Sequence, residues 1–246
     1  MYNSWNKFTY DNNDKNGLTE YSFSNKSLDT RSITWNQDYR QFVSIDPGEK
    51  NIAMRIEKKY FDGRTEPIVY IKENINIDNK GSGMCSVFEN LYKFLDQYYP
   101  YYLESHFFII EKQLKCNKET IIEIAQSIIM YFIIKLRDSI LVPHIIKMDA
   151  KIKYHKMHPK GANHELISKK LKAWGVEEAK RLFIESGDTD SLKILDTHSK
   201  KDDLADVKLQ IEAFCKIKGL IFNSTKNQTL NINIDLSSLS LNSIQF

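Results

Sequence analysis

The sequence predicts an α/β domain: a mixed five-stranded sheet, its three leading strands antiparallel, flanked by helices. Three observations predict it. Short apolar or alternating runs, separated by turn residues, fill positions 41–77. A fully apolar run follows at 107–110. From there, strand-like runs alternate with segments of helical period.

The first strand spans 41–46 and is stopped by Pro47-Gly48. Positions 51–59 alternate, with Ile52, Met54 and Ile56 on one side, and 67–77 alternate again after a change of register. Asp62-Gly63 between them is turn chemistry for an antiparallel hairpin. Val87, Leu91, Phe94 and Leu95 keep helical spacing up to the stop at Pro100. Phe107 to Ile110 is continuous apolar sequence, the mark of a central strand covered on both faces, and it ends on Glu111. A long helix is expected over 118–137, a fifth strand over 144–148, and helices over 163–185 and 202–216. Residues 1–38 have no sustained period and are expected to be an extension, poorly ordered or draped over the domain formed by 39–218. Residues 219–246 are a polar tail in which Leu and Ile alternate over 230–241, suited to one added strand or a disordered end.

The chain of 246 residues is 41% hydrophobic and 27% charged, enough apolar sequence for a full core. The most apolar stretch, 121–136, is interrupted by Glu123, Gln126 and Ser127 and is shorter than a membrane span. A start containing Lys7, Asp11 and Asp14 is unlike a secretory signal. Three cysteines without a C-x-x-C spacing point to a reducing compartment and away from a zinc site. The net charge of +3 is unevenly spread. From 147 to 181 there are ten Lys and Arg against four acids, a surplus of six positive charges, so the rest of the chain is acidic on balance. Concentrated basic sequence in a near-neutral chain suggests a polyanion partner, although a solvated helix face would also produce it.

Four acids stand out. Asp46 ends the first strand, Glu111 ends the fourth, and Asp203 and Asp206 open the last helix at a spacing that puts them on one face. A charge at the end of an apolar strand is costly unless it is paired, exposed or bound to a cation. Taken singly, Asp46 could be a turn residue, Glu111 could pair with a lysine, and Asp202 or Asp203 could cap the helix. Taken together on strands and a helix that converge at one sheet edge, they suit magnesium, a hard ion with oxygen ligands. Two such ions can activate water and stabilise the leaving oxygen of a phosphodiester.

The motifs around these acids resemble those of a known family. Ile45-Asp46-Pro47-Gly48 with Asn51-Ile52-Ala53 is similar to the first motif of RuvC-type Holliday junction resolvases, and Ile109-Ile110-Glu111-Lys112-Gln113 to their second. Lys200-Lys201-Asp202-Asp203-Leu204-Ala205-Asp206 is similar to the closing motif in its poxvirus-type form. The resemblance covers about 41–216 and implies an RNase H-like fold, Asp46, Glu111, Asp203 and Asp206 as catalytic metal ligands for two Mg²⁺ ions (Mn²⁺ in their place), and a structure-selective endonuclease cutting four-way DNA junctions. It places the basic stretch on the DNA side, with Lys147, Lys151, Lys153, Tyr154, Lys156 and Lys160, joined by Lys200 and Lys201, as phosphate-contacting candidates. It also implies a homodimer. The 118–137 helix is apolar nearly all round, more than one sheet-covering face needs, with Ile122, Ile129 and Ile133 as interface candidates. The expected setting is an intracellular site of DNA replication, cytoplasmic or nuclear, viral replication included. Two alternatives keep the same acids: another RNase H-fold nuclease, for RNA–DNA hybrids or less selective on DNA, and a non-catalytic nucleic-acid-binding protein.

Overall fold

A computed structural model of the chain describes residues 8–11, 17–23, 37–76, 83–113, 119–139, 141, 143–158 and 168–222. The strands are β1 (Phe8–Asp11), β2 (Leu18–Phe23), β3 (Tyr39–Asp46), β4 (Ile52–Tyr60), β5 (Thr65–Glu73), β6 (Phe107–Lys112) and β7 (His144–Asp149). The helices are α1 (Gly83–Asp96), the single turn α2 (Tyr99–Tyr102), α3 (Glu119–Leu136), α4 (Ala150–Met157), α5 (Ser168–Ser186), α6 (Thr189–Thr197) and α7 (Lys201–Lys218).

One mixed sheet runs in the order β1-β2-β7-β6-β3-β4-β5. The five strands expected from the sequence form its centre and one side. β3, β4 and β5 are antiparallel neighbours, and β6 and β7 lie parallel beside β3. The sheet has seven strands rather than five because the expected extension supplies two: β2 pairs antiparallel with β7, and β1 with β2. Alternation within the 18–23 run is broken by Glu20 and Ser22, which hides the strand from a hydropathy reading. The tail beyond Phe222, including the alternating 230–241 run, lies outside the described residues.

Strand alternation gives the sheet two unlike faces. Val43, Ile45, Ile52, Met54, Ile56, Phe108, Ile110 and Ile145 form one, an apolar surface covered by α1 and α3. The packing there uses α3 residues Ile124, Ile128, Ile129 and Phe132. This corrects one expectation: Ile129 is 4% exposed and belongs to the core, not to an interface. Ile133 also packs against the core and Ile122 is half-buried, while Met130 and Ile134 stand out at 50% and 58% exposed. No helix among the described residues is long and apolar enough to cross a membrane.

The other face is covered by α7, with α4, α5 and α6 around it, and it carries ions. Arg55, Glu57 and Lys59 alternate along β4 beneath this layer. Arg55 pairs with Glu57 at 2.5 Å and with Asp188 at 2.8 Å, and Lys208 of α7 meets both Glu57 (3.0 Å) and Glu212 (2.8 Å). Lys59 closes the chain on Glu212 at 2.5 Å. The Arg55 guanidinium also lies against the Tyr70 and Phe183 rings. Burial alone would raise the Glu57 carboxyl, but Lys208 and Arg55 together hold it well below the usual carboxylate range.

Removing one member of such a layer leaves buried partners uncompensated. Glu57→Gln is expected to lower unfolding stability at pH 7 by about 3–5 kcal/mol. Because the folded-state value is depressed, the stabilisation is complete above the ordinary glutamate value of 4.5 and is lost as pH falls below it. Urea unfolding of both proteins across this range should show the gap narrowing in acid; a constant gap would mean that the charge does not contribute.

Candidate active site

Side chains at alternate positions bring two acids to one end of the ionic face. In β3, Phe42, Ser44 and Asp46 point that way; in β6, Phe107, Ile109 and Glu111 do. The two strands are parallel, with Ile45 opposite Ile110, so both acids emerge at the same carboxyl-terminal edge. β3 ends there because the chain turns tightly: a Cβ on Gly48 would come within 2.8 Å of the Asn51 carbonyl oxygen. Across this edge runs the start of α7, and its Asp206 completes the group. One carboxylate oxygen each from Asp46, Glu111 and Asp206 lie within 4.8 Å of one another.

Lys153 of α4 sits among them. Its Nζ is 2.5 Å from Glu111 Oε2 and 2.6 Å from Asp206 Oδ2, and the residue is 1% exposed. Burial disfavours its charge, but Asp206, Glu111 and Asp46 more than compensate and raise its pKa well above that of an ordinary lysine. Tyr154 donates its hydroxyl to Asp206 Oδ1 at 3.1 Å, and Gln210 donates to Glu111 Oε2 at 3.0 Å. Burial, and then the Glu111 charge, push the Asp46 carboxyl well above its usual range; Lys153 opposes them. For Asp206, burial and Glu111 outweigh Lys153 and Tyr154 and bring the carboxyl up to about 6.

Asp203 stands one helical turn before Asp206 and is outside the group of three. Burial, and then neighbouring Asp202, raise its carboxyl against the pull of Lys200 and Lys72. Its Oδ2 is buried and accepts no hydrogen bond among the described residues, with the Lys200 ammonium 3.5 Å away. Asp202 points elsewhere and pairs with Lys172 at 2.6 Å.

These residues fit a divalent cation. The donors are all carboxylate oxygens, the set a hard ion takes. Three carboxyl groups and one ammonium share a confined space, and a divalent cation there would relieve the repulsion among the acids. Asp203 adds a buried oxygen that accepts no hydrogen bond among the described residues.

The basic candidates separate. Lys153 is no surface contact but the counter-charge of the acids. Lys147 lies in β7 opposite Ile110, on the apolar face of the sheet rather than with the acids. Lys151 and Lys156 are exposed on α4; Lys200 is exposed, and Lys201 is half-buried beside Asp196. Lys160 lies outside the described residues. Within the basic stretch, 150–157 forms α4, which the sequence pattern does not predict because a helix whose buried side includes a lysine has no apolar stripe to announce it. Lys153 and Met157, four apart and both buried, are the one signal that could have found it.

No protein-family model matches the chain, and no curated protein matches it in sequence. Solved structures do. The yeast mitochondrial Holliday junction resolvase Ydc2 aligns with a TM-score of 0.52 at 17% identity, over 76% of this chain and 85% of that one. The chain has the fold of that protein, the RuvC/RNase H-like fold. RuvC of Thermus thermophilus aligns with a TM-score of 0.49 at 9% identity, over 72% of this chain and 96% of its own. The Fowlpox virus resolvase, solved with Holliday junction DNA, aligns with a TM-score of 0.46 at 18% identity, over 72% and 98%.

The Lys153 geometry generates a test of the charge balance. Lys153→Met removes the cation that touches both Glu111 and Asp206, so the variant should melt below the wild type at pH 8. Asp206 is brought to about 6 with Lys153 beside it and rises further without it, so protonation should relieve the repulsion in the variant first and the deficit should shrink as pH falls from 8 toward 6. Thermal melts at both pH values decide this; equal melting temperatures at pH 8 would show that Lys153 does not hold the acids together.

Proposed function

We propose that this chain is a metal-dependent endonuclease that resolves four-way DNA junctions. The observation that carries the reading is the convergence of Asp46, Glu111 and Asp206 from β3, β6 and α7 at one sheet edge. Its support is twofold: the fold is that of Ydc2, itself a Holliday junction resolvase, and the motifs bearing the acids resemble those of that family. Asp46, Glu111 and Asp206 would hold Mg²⁺, or Mn²⁺ in its place, and Asp203 would help hold a second ion. Bound magnesium supplies Lewis-acid activation of water and charge stabilisation at the leaving oxygen. The chain's own groups do the rest: Lys153 holds Glu111 and Asp206 in place, and Tyr154 orients Asp206. Exposed Lys151, Lys156 and Lys200, with Lys201, are suited to phosphate contacts that position DNA without reading bases.

With Mg²⁺ and a labelled four-way junction, the wild type should make paired incisions, and chelation should stop them. Asp46→Asn should lower the rate about a hundred- to a thousandfold, the scale of losing a principal transition-state charge interaction, while junction binding persists. Duplex and RNA–DNA hybrid controls set the substrate: preferential cutting of the hybrid would replace junction resolution with a ribonuclease reading, and wild-type cutting by Asp46→Asn would remove the assignment of the acid.

Paired incision needs two sites, and the outer face of α3 offers a surface for a two-fold dimer. Met130 and Ile134 are exposed there, beside a groove of about 510 Å³ lined by Met84, Phe88, Tyr92, Glu123, Gln126, Ser127 and Met130. Ile129→Asp cannot test this, because that side chain is buried in the chain's own core. Met130→Asp with Ile134→Asp should give a folded monomer that nicks one strand without pairing the cuts. Light scattering of the wild type at micromolar concentration should give twice the chain mass; a monomer there, with and without junction, would end the dimer proposal.

A further inference from the structure

Gln210 is fully buried on α7, one turn beyond Asp206. Its amide bridges two strands. Nε2 donates to Glu111 Oε2 at 3.0 Å, and Oε1 accepts from the Ser44 hydroxyl at 2.8 Å. Ser44, also fully buried, lies in β3 two residues before Asp46 and on the same side of the strand. The bridge therefore joins the three elements that carry the acids at positions next to each acid. The amide's orientation follows from chemistry: an ionised carboxylate can only accept, so the amine end must face Glu111 and the carbonyl end must face Ser44. The serine hydroxyl, which could donate or accept, is thereby fixed as donor.

We infer that Gln210, locked by Ser44, is a positioning residue that sets the orientation of Glu111 for a divalent cation. Lys153 also meets Glu111 Oε2, but it brings a positive charge that opposes a cation in the same space. Gln210 orients the carboxylate as a neutral donor and leaves its charge available. Ser44 stands where a central strand would ordinarily place a β-branched apolar residue, and a buried hydroxyl and amide are costly unless they satisfy each other. Partners behind a metal-holding carboxylate typically govern affinity by about 10–100-fold.

This inference rests on the metal reading above, and the test separates the two. Mn²⁺ binding to the full-length protein is measured by calorimetry without DNA, together with the melting temperature in chelator. Gln210→Met keeps length and removes both hydrogen bonds; it should bind Mn²⁺ about 10–100-fold more weakly. Ser44→Ala, a smaller change that leaves the amide untethered, should weaken binding less, and it carries the test alone if Gln210→Met does not fold. The double variant should be no weaker than Gln210→Met, because Ser44 acts only through Gln210. A merely structural role would lower the melting temperature in chelator and leave Mn²⁺ affinity at the wild-type level. That result overturns the inference, as would additive losses in the double variant. A folded wild type that binds no Mn²⁺ overturns the metal reading itself.

Discussion

Like charges at close range set the terms for this molecule. When ionised, each pair among Asp46, Glu111 and Asp206 repels by roughly 3–4 kcal/mol at an effective dielectric of about 20, and the three acids must be held against moving apart. Two of the acids end apolar strands buried in the middle of the sheet, which cannot shift without breaking the core. The third is on α7, which is pinned along its length to β4 and β3. Lys153 meets two of the three with a single ammonium. The surrounding architecture is therefore a means of keeping the acids closer than they would otherwise stand.

The two faces of the sheet divide that work. On the α1–α3 side, close-packed Ile, Val, Met and Phe supply cohesion without directional demands. On the α7 side, Arg55, Glu57, Lys59, Lys208 and Glu212 form ion pairs that depend on geometry. A layer of directional pairs accepts fewer seatings of a helix than a greasy one does. Sliding α7 by one turn would separate Lys208 from Glu57 and Gln210 from Ser44 at the same moment that it moved Asp206.

Much of this could be read from residue order. The central strands, α1, α3 and α7 follow from alternation, helical spacing and turn residues, and Asp46, Glu111 and Asp206 are marked by acids ending apolar runs or opening a helix. What escaped reading depends on partners distant in sequence. Lys153 reads as one more lysine in a basic run until α4 folds against α7 and turns it inward. Ile129 and Met130 look alike in an apolar helix, and only the position of the sheet decides which is covered. Helix α6 lies in the stretch between the helices expected over 163–185 and 202–216; it starts after the positive-φ turn at Gly187, at Asp188, whose carboxylate is engaged with Arg55.

The pairing of β2 with β7 bears on how the chain reaches this state. Leu18 meets Met148 and Tyr21 meets Ile145, partners separated by more than a hundred positions along the chain. During synthesis β2 emerges long before the strand it must join, and its own neighbour β1 offers only a two-stranded hairpin, which is marginal alone in water. Closing so long a loop is entropically slow. The hairpin therefore depends on β7 for its place in the sheet, and it is fastened there by Glu20 to His144 and Lys218.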